Sequence, residues 1–132
     1  MADPTTDTRP TVAVVGASND RSKFGNRSVR AHVQSGFRVF PINPRGGEIE
    51  GLPAYVKLSD VPVRPLNRIT LYVPPTLGLA MLDEIAAIGC DELWLNPGAE
   101  SPELIEQAQA RGLNTIVACS IVAVGIDPHA MH

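Results

Sequence analysis

Apolar residues fall in short blocks, separated by stretches in which they recur every three or four positions. Thr11-Val-Ala-Val-Val15 is a β-branched run closed by Gly16 and predicts a first strand. Residues 25–35 predict a helix with Gly36 as its stop. Arg38-Val-Phe-Pro-Ile42 predicts a second strand, and Pro41 points to an early end or an edge position. The Gly- and Pro-punctuated stretch 48–58 predicts a short strand around Ala54–Val56. Arg68-Ile-Thr-Leu-Tyr-Val73 is a firmer strand, stopped by Pro74-Pro75. The next helix is expected to start at Thr76 as N-cap and to stop at Gly89. Its Met81, Leu82, Ile85 and Ile88 recur at helical spacing, so one face is buried. Glu92-Leu-Trp-Leu95 is a strand. Ser101 then caps a helix with Pro102 at its first position and Gly112 at its end. Asn114–Ala118 is the last strand.

Near-continuously apolar strands separated by helices predict a parallel sheet covered on both faces by right-handed crossovers. The expected fold class is α/β: a three-layer Rossmann-type domain with a mostly parallel sheet of five or six strands. Residues 1–10 read as a disordered N-terminal arm, 11–126 as the domain and 127–132 as a tail. Ligands in such folds bind beyond the carboxyl ends of the strands, where strand order reverses.

Composition narrows the function. The chain has 132 residues, 44% apolar and 19% charged, the balance of one globular domain. Cys90 and Cys119 are too few for a disulfide framework or a zinc site, and read as buried thiols of a reducing cytosol. No apolar run reaches the roughly 20 residues of a membrane span. The start lacks the pattern of a secretory signal, so the expected location is cytoplasmic. The net charge of −3 hides a split. Residues 1–68 hold ten basic and six acidic side chains, and residues 69–132 hold one basic residue, Arg111, and eight acidic ones. Arg21, Lys23, Arg27, Arg30, Arg38 and Arg45 lie between Asp20 and Glu48 with no acid among them. A mildly acidic total argues against a nucleic-acid surface and is compatible with one small anion held at the basic end.

The expected site consists of the residues just past each strand: Gly16-Ala17-Ser18, Asn43-Pro44-Arg45, Pro74-Pro75-Thr76, Asn96-Pro97-Gly98 and Cys119-Ser120. No Asp, Glu or His directly follows these strands, and the nearest carboxylate is Glu100. That is a binding crevice with no nominated catalytic residue and no metal cage. The loop from Gly16 to Gly25 leads into a helix N-terminus, where free N–H groups and the helix dipole favour a phosphate. Gly16 permits a tight turn and Ser18 offers a hydroxyl and an amide. Gly25 lets a ligand approach closely, and Arg21 and Lys23 add charge. The dinucleotide fingerprint G-x-G-x-x-G is absent, because Ala17-Ser18 stands where its second Gly belongs, and no P-loop motif is present. NAD binders place an acid after the second strand for the ribose hydroxyl. Arg45 instead suits a phosphate on the ribose, which NADP and coenzyme A both carry.

The runs TVAVVGASNDRSKFGN, FRVFPINPRGGEIEGLPAYVKLSDVP, LYVPPTLGLAMLDEIAAIGCDELWLNPGAES and ACSIVAVG together resemble the stand-alone coenzyme A-binding domain family. That family is similar to the nucleotide-binding domain of succinyl-CoA synthetase α chains and related acyl-CoA synthetases. The resemblance spans about residues 10–125. It implies that Gly16, Ala17 and Ser18 cradle phosphates, and that Asn43, Pro44, Val73, Pro74 and Pro75 flank the adenosine and pantetheine. The Trp94–Gly98 segment matches the family pattern and brings in Asn96, Pro97 and Gly98. Lys23, Phe24 and Gly25 are carried over with the first loop. The synthetases also have a phosphohistidine domain and an ATP-grasp partner, for which 132 residues leave no room. His32, His129 and His132 stand at no strand end, and His32 reads as a partly exposed helix residue.

The implied function is binding of coenzyme A or an acyl-CoA, without ligase catalysis in this chain. The implied partner is a small-molecule nucleotide cofactor, not a nucleic acid or a membrane. A homodimer or a synthetase-like protein partner is left open. The alternative is an NADP-dependent oxidoreductase or NADP-binding module. It would use Tyr55 or Tyr72 as proton donor, although Tyr72 is expected inside a strand. Cys119 is weighed as a core thiol against one that exchanges with a ligand thiol, and the core reading is favoured. Trp94 between Leu93 and Leu95 reads as core.

Overall fold

The computed structural model describes residues 7–132. Strand β1 (Thr11–Val15) is buried along its whole length and is followed by α1 (Phe24–Gln34) and β2 (Arg38–Ile42). A small antiparallel hairpin of β3 (Glu48–Ile49) and β4 (Leu52–Pro53) leads to β5 (Leu66–Leu71) and α2 (Pro75–Ile88). Then come β6 (Cys90–Leu95), α3 (Pro102–Ala110), β7 (Thr115–Val117) and the single turn α4 (Ser120–Ala123). Five strands make one sheet in the order β2-β1-β5-β6-β7, with every neighbouring pair parallel. This is the three-layer Rossmann-type arrangement. The chain steps outward from β1 to β2, then returns to the other side of β1 for β5. Strand order therefore reverses between β1 and β5, and the crevice opens beyond Val15 and Leu71.

Alternation along the strands sorts side chains between two layers. Ala13, Val15, Ile69, Leu71, Leu93 and Leu95 join Leu82 and Ile85 of α2 and Leu104 and Ala108 of α3 in the main core. Each such Leu or Ile, fully buried, contributes about 1.5–3 kcal/mol relative to exposure. Val12 and Val14 face the other way, onto Val29 of α1 and Ile49 of the hairpin. This second layer is thinner, and α1 buries polar side chains in it: Asn26, Ser28 and His32 are all fully buried.

His32 is thus a core residue and not a partly exposed one. Its Nδ1 donates to the Ser28 carbonyl at 2.8 Å, and its Nε2 accepts from Arg68 Nη1 at 3.2 Å. Arg68 is itself held by Glu92 and lies over the Phe37 and Trp94 rings. A polar ring is tolerated there because both its nitrogens have partners. Trp94 is core, as expected, at 7% exposure.

Several boundaries differ from the sequence expectation. No strand forms at Ala54–Val56, where Tyr55 makes only an isolated bridge to Ile42. The extended pairing falls earlier, in the β3/β4 hairpin, closed by Glu50-Gly51 with φ of 51° and 77°, the left-handed pair that a two-residue hairpin turn requires. Helix α2 starts at Pro75 with Pro74 as the N-cap residue, so Thr76 lies inside the helix. Proline at the first helical position sacrifices no hydrogen bond. For α3 the expectation holds: Ser101 Oγ accepts from the Leu104 amide at 3.1 Å, with Pro102 following. Residues 1–6 of the expected arm lie outside the described residues, and the Pro10 carbonyl accepts from the Arg38 amide at 2.8 Å. The tail packs on α1. Arg27 donates to the Pro128 carbonyl at 3.0 Å, and the Phe24 and His129 rings meet edge to face at 6.1 Å.

Candidate functional site

Three connected hollows run along the carboxyl edge of the sheet. The first, of about 540 Å³, lies between the loop after β1 (Gly16 to Asp20, Lys23) and the loop after β2 (Asn43 to Gly46), with Ile49 and Tyr72 closing it. The second, of about 330 Å³, passes Gly16, Lys23, Phe24, Gly25, Tyr72, Val73, Pro74, Pro97 and Gly98. The third, of about 300 Å³, is bounded by Phe24, Tyr72, Asn96, Pro97, Cys119, Val122 and the tail residues Asp127, Pro128 and His129. Tyr72 borders all three. The structure thus brings together most of the residues expected from the strand ends. Arg21 and Pro75 border none of these hollows. Arg21 is turned to Glu50, at 2.8 Å, and Pro75 begins α2.

The first loop is built by close packing. A Cβ on Gly25 would collide with the Gly16 carbonyl, and one on Gly16, at φ +90°, would lie 2.7 Å from the Tyr72 carbonyl. Gly25 is therefore required by contact between the start of α1 and the turn after β1. The Gly16 and Ala17 amides both donate to the Ile42 carbonyl at 3.2 Å, so they are taken up by the end of β2. Two asparagines then hold the next carbonyls. Asn43 Nδ2 donates to Ala17 O at 2.8 Å, and Asn26 Nδ2 to Ser18 O at 2.8 Å. Because a trans peptide sets its N–H opposite its C=O, these bonds also fix the directions of the Ser18 and Asn19 amides. Neither amide has a partner among the described residues. The first two amides of α1, at Phe24 and Gly25, have no intrahelical acceptor. The loop thus holds oriented, unpaired N–H groups beside two cations, Lys23 and Arg45, that make no ion pair among the described residues. Asn43 also accepts from the Arg45 amide at 2.8 Å, which leaves it a clamp between the two loops.

Tyr72, expected inside a strand, lies one residue past the end of β5, with its amide still donating to the Val15 carbonyl at 2.9 Å. Its hydroxyl reaches Ser120 Oγ at 2.9 Å, and Thr70 Oγ1 reaches the same oxygen at 2.8 Å. Asn96 completes the cluster. Its Nδ2 donates to Thr70 Oγ1 at 2.6 Å and to Leu71 O at 2.9 Å, and its Oδ1 accepts from the Ser120 amide at 2.9 Å and hydroxyl at 3.1 Å. The Asn96 side chain thereby uses its whole hydrogen-bonding capacity inside the protein, so it ties β5, β6 and α4 together and has no further hydrogen bond to give. With the Ser120 proton given to Asn96, Tyr72 and Thr70 donate to Ser120. Burial keeps the Tyr72 phenol above its ordinary range. A tyrosine held protonated and donating inward is poorly placed to supply a proton to a bound substrate.

Cys119 is half-buried and borders the third hollow, which corrects its reading as a core thiol. Cys90 packs against the main core, and burial pushes its thiol up to about 11. Sequence reasoning passed over Asn26, Val122 and Pro128, and weighed Tyr72 only as a proton donor. The signal for Tyr72 was its place just before Val73-Pro74-Pro75. Among the described residues no three His, Cys, Asp or Glu side chains are grouped to hold a metal, and no helix is long and apolar enough to cross a membrane.

The model of the CoA binding domain matches residues 10–125. The chain belongs to the CoA-binding domain family. Its relatives place this domain both alone and within larger proteins. A conserved hypothetical protein from Pyrococcus furiosus is 33% identical, with a TM-score of 0.76 over 87% of this chain and 98% of its own. The α subunit of acetate–CoA ligase [ADP-forming] II from Pyrococcus furiosus is 28% identical over 116 residues, which are 80% of this chain and 25% of that protein. The dinucleotide-forming acetyl-coenzyme A synthetase 1 of Ca. Korarchaeum cryptofilum, solved with phosphate and ADP, is 32% identical with a TM-score of 0.69 over 82% of this chain and 25% of that one. This CoA-binding domain therefore spans about a quarter of the length of those ligase and synthetase chains.

Proposed function

We propose that this domain binds coenzyme A along the crevice between β1 and β5. The observation that carries the reading is the order of environments along one continuous path. Unpaired amides at Ser18 and Asn19 and the cations Lys23 and Arg45 stand at one end, and Phe24, Pro97 and Val122 at the other. Coenzyme A has the same order, with phosphates at its nucleotide end and a thiol at the far end of an extended arm. The pyrophosphate would lie on the Ser18 and Asn19 amides and the N-terminus of α1. Arg45 would meet the ribose phosphate. The pantetheine would pass Tyr72, Val73 and Pro74. The domain's part is binding. The inward-donating Tyr72 supports this reading over hydride transfer from NADP.

A thermal-shift panel of coenzyme A, dephospho-coenzyme A, NADP, NAD and ATP tests it. Coenzyme A at 100 times its dissociation constant should add about 2.7 kcal/mol, which moves the midpoint of a domain this size by roughly 10 °C. A shift with NADP and none with coenzyme A would overturn the reading. The Arg45→Ala variant should bind coenzyme A several-fold more weakly, a loss of about 1 kcal/mol for an exposed charged contact. It should bind dephospho-coenzyme A as the parent does. Equal losses for both ligands would remove Arg45 from the ribose phosphate.

A further inference from the structure

We propose that the third hollow is an acyl pocket, so that this domain binds acylated coenzyme A more tightly than the free thiol. The proposal rests on the coenzyme A reading above and adds what lies beyond the thiol.

The hollow continues the path past the place assigned to pantetheine, because Phe24, Tyr72 and Pro97 border both the second and the third hollow. Its walls are mainly carbon. Phe24, Pro97, Val122 and Pro128 supply apolar surface, and the Cys119 side chain behaves as a small apolar group unless ionised. Its inner polar members, Asn96 and Tyr72, already have partners, and the side chains of Asp127 and His129 are exposed at its edge. The four hydrogen bonds of Asn96 all go to Thr70, Leu71 and Ser120. The Tyr72 hydroxyl goes to Ser120, and the Asp127 carboxylate caps the last turn through the His129 amide at 2.9 Å. A polar ligand end would therefore find few free partners in the inner part of the hollow, between Asn96, Tyr72 and Cys119, whereas a hydrocarbon chain would lose only water.

One wall of the pocket is the segment after Gly125, and α1 holds it in place. Arg27 bonds the Pro128 carbonyl at 3.0 Å, and its guanidinium lies 5.2 Å from the Phe24 ring centroid. Phe24 is 42% exposed and Val122 is 58% exposed, a large apolar area for a small protein to leave open beside a crevice. Both residues border this hollow. At about 300 Å³ the space is at the small end of ligand pockets. The class of ligand it fits is a coenzyme A thioester of a short, uncharged aliphatic acid.

Isothermal titration with coenzyme A and its acetyl, propionyl, butyryl and hexanoyl thioesters tests the assignment, with succinyl-coenzyme A as the charged control. Affinity should rise about three- to fourfold for each added methylene until the pocket is full. Succinyl-coenzyme A should bind more weakly than butyryl-coenzyme A. The Val122→Trp variant, which enters the space from an exposed helix position, should lose the dependence on chain length while retaining the parent unfolding midpoint. A flat series with coenzyme A still bound would overturn the acyl pocket and leave the coenzyme A reading standing. If no member of the series binds, coenzyme A included, the coenzyme A reading itself fails. A chain-length gain that survives in Val122→Trp would place the acyl chain elsewhere.

Discussion

Single residues in this domain are defined by what their polar atoms do. His32 is the clearest case. Burial holds its imidazole down at about 4, from an ordinary value of 6.5, and the Arg68 guanidinium facing it from β5 acts in the same direction. The folded ring is neutral throughout the range in which the unfolded ring takes up a proton. Stability is therefore full above about pH 6.5 and falls as pH drops toward 4, by on the order of 3 kcal/mol across that window. Urea unfolding at a series of pH values should show the decline, and the ring resonances of His32 should stay those of a neutral imidazole down to about pH 4. Titration of the ring near 6.5 in the folded protein would refute the account. Gly25 makes a different prediction, from space alone. Gly25→Ala would drive a methyl into the Gly16 carbonyl. It should cost about 2 kcal/mol and weaken coenzyme A binding, because the loop after β1 and the start of α1 must separate. An unchanged unfolding midpoint would show that the contact relaxes freely.

Among the elements, α1 and the loop before it carry the candidate site, and they were only partly legible in the chain. The apolar blocks at Thr11–Val15 and Arg38–Ile42 gave β1 and β2 to the residue, since each is closed by a turn former. The block from Arg68 to Val73 misled, because an apolar run does not record where strand pairing stops. Val15 pairs with Leu71 and the chain then turns at Gly16, so Tyr72 keeps one bond to β1, from its amide to the Val15 carbonyl at 2.9 Å, and has no residue opposite it. The clamps were invisible for a related reason. Asn26 looked like an ordinary polar residue in a helix. Its burial depends on Ser18, eight positions earlier, and on Glu50 and Arg30. Likewise Asn96 followed a strand and suggested a ligand donor, but its partners come from β5 and α4. Asn26→Ala should cost about 1–3 kcal/mol, the usual penalty for leaving buried partners unmade. It should also weaken coenzyme A binding beyond any loss of folded protein, because the Ser18 carbonyl loses the bond that orients the Asn19 amide. Calorimetry at a temperature where the variant is fully folded separates the two effects.

Across the whole molecule, the charge asymmetry of the chain becomes a gradient along one crevice. Of the six cations between Asp20 and Glu48, Arg21 is tied to Glu50, Arg27 and Arg30 bond carbonyls of the C-terminal segment, and Arg38 lies over the Phe40 ring, 3.9 Å from Asp7. Lys23 and Arg45 remain without an ion pair among the described residues, free for the proposed ligand. Two exposed charges act through a screened field. Raising salt from about 0.05 to 0.5 M should therefore weaken coenzyme A binding several-fold and leave the increment per methylene of an acyl chain unchanged. An increment that fell in parallel with the nucleotide contribution would contradict the separation of charged and apolar ends. The strand order has a kinetic consequence as well. Every neighbouring pair in the sheet is parallel, and Val12 of β1 meets Arg68 of β5 only after the whole first crossover has folded back. The β1 and β5 walls of the crevice cannot form from a local hairpin, and the closure entropy of the long segment between them must be overcome first. A partly folded chain then presents little for the ligand to hold, so saturating coenzyme A should slow unfolding while leaving the refolding rate nearly untouched.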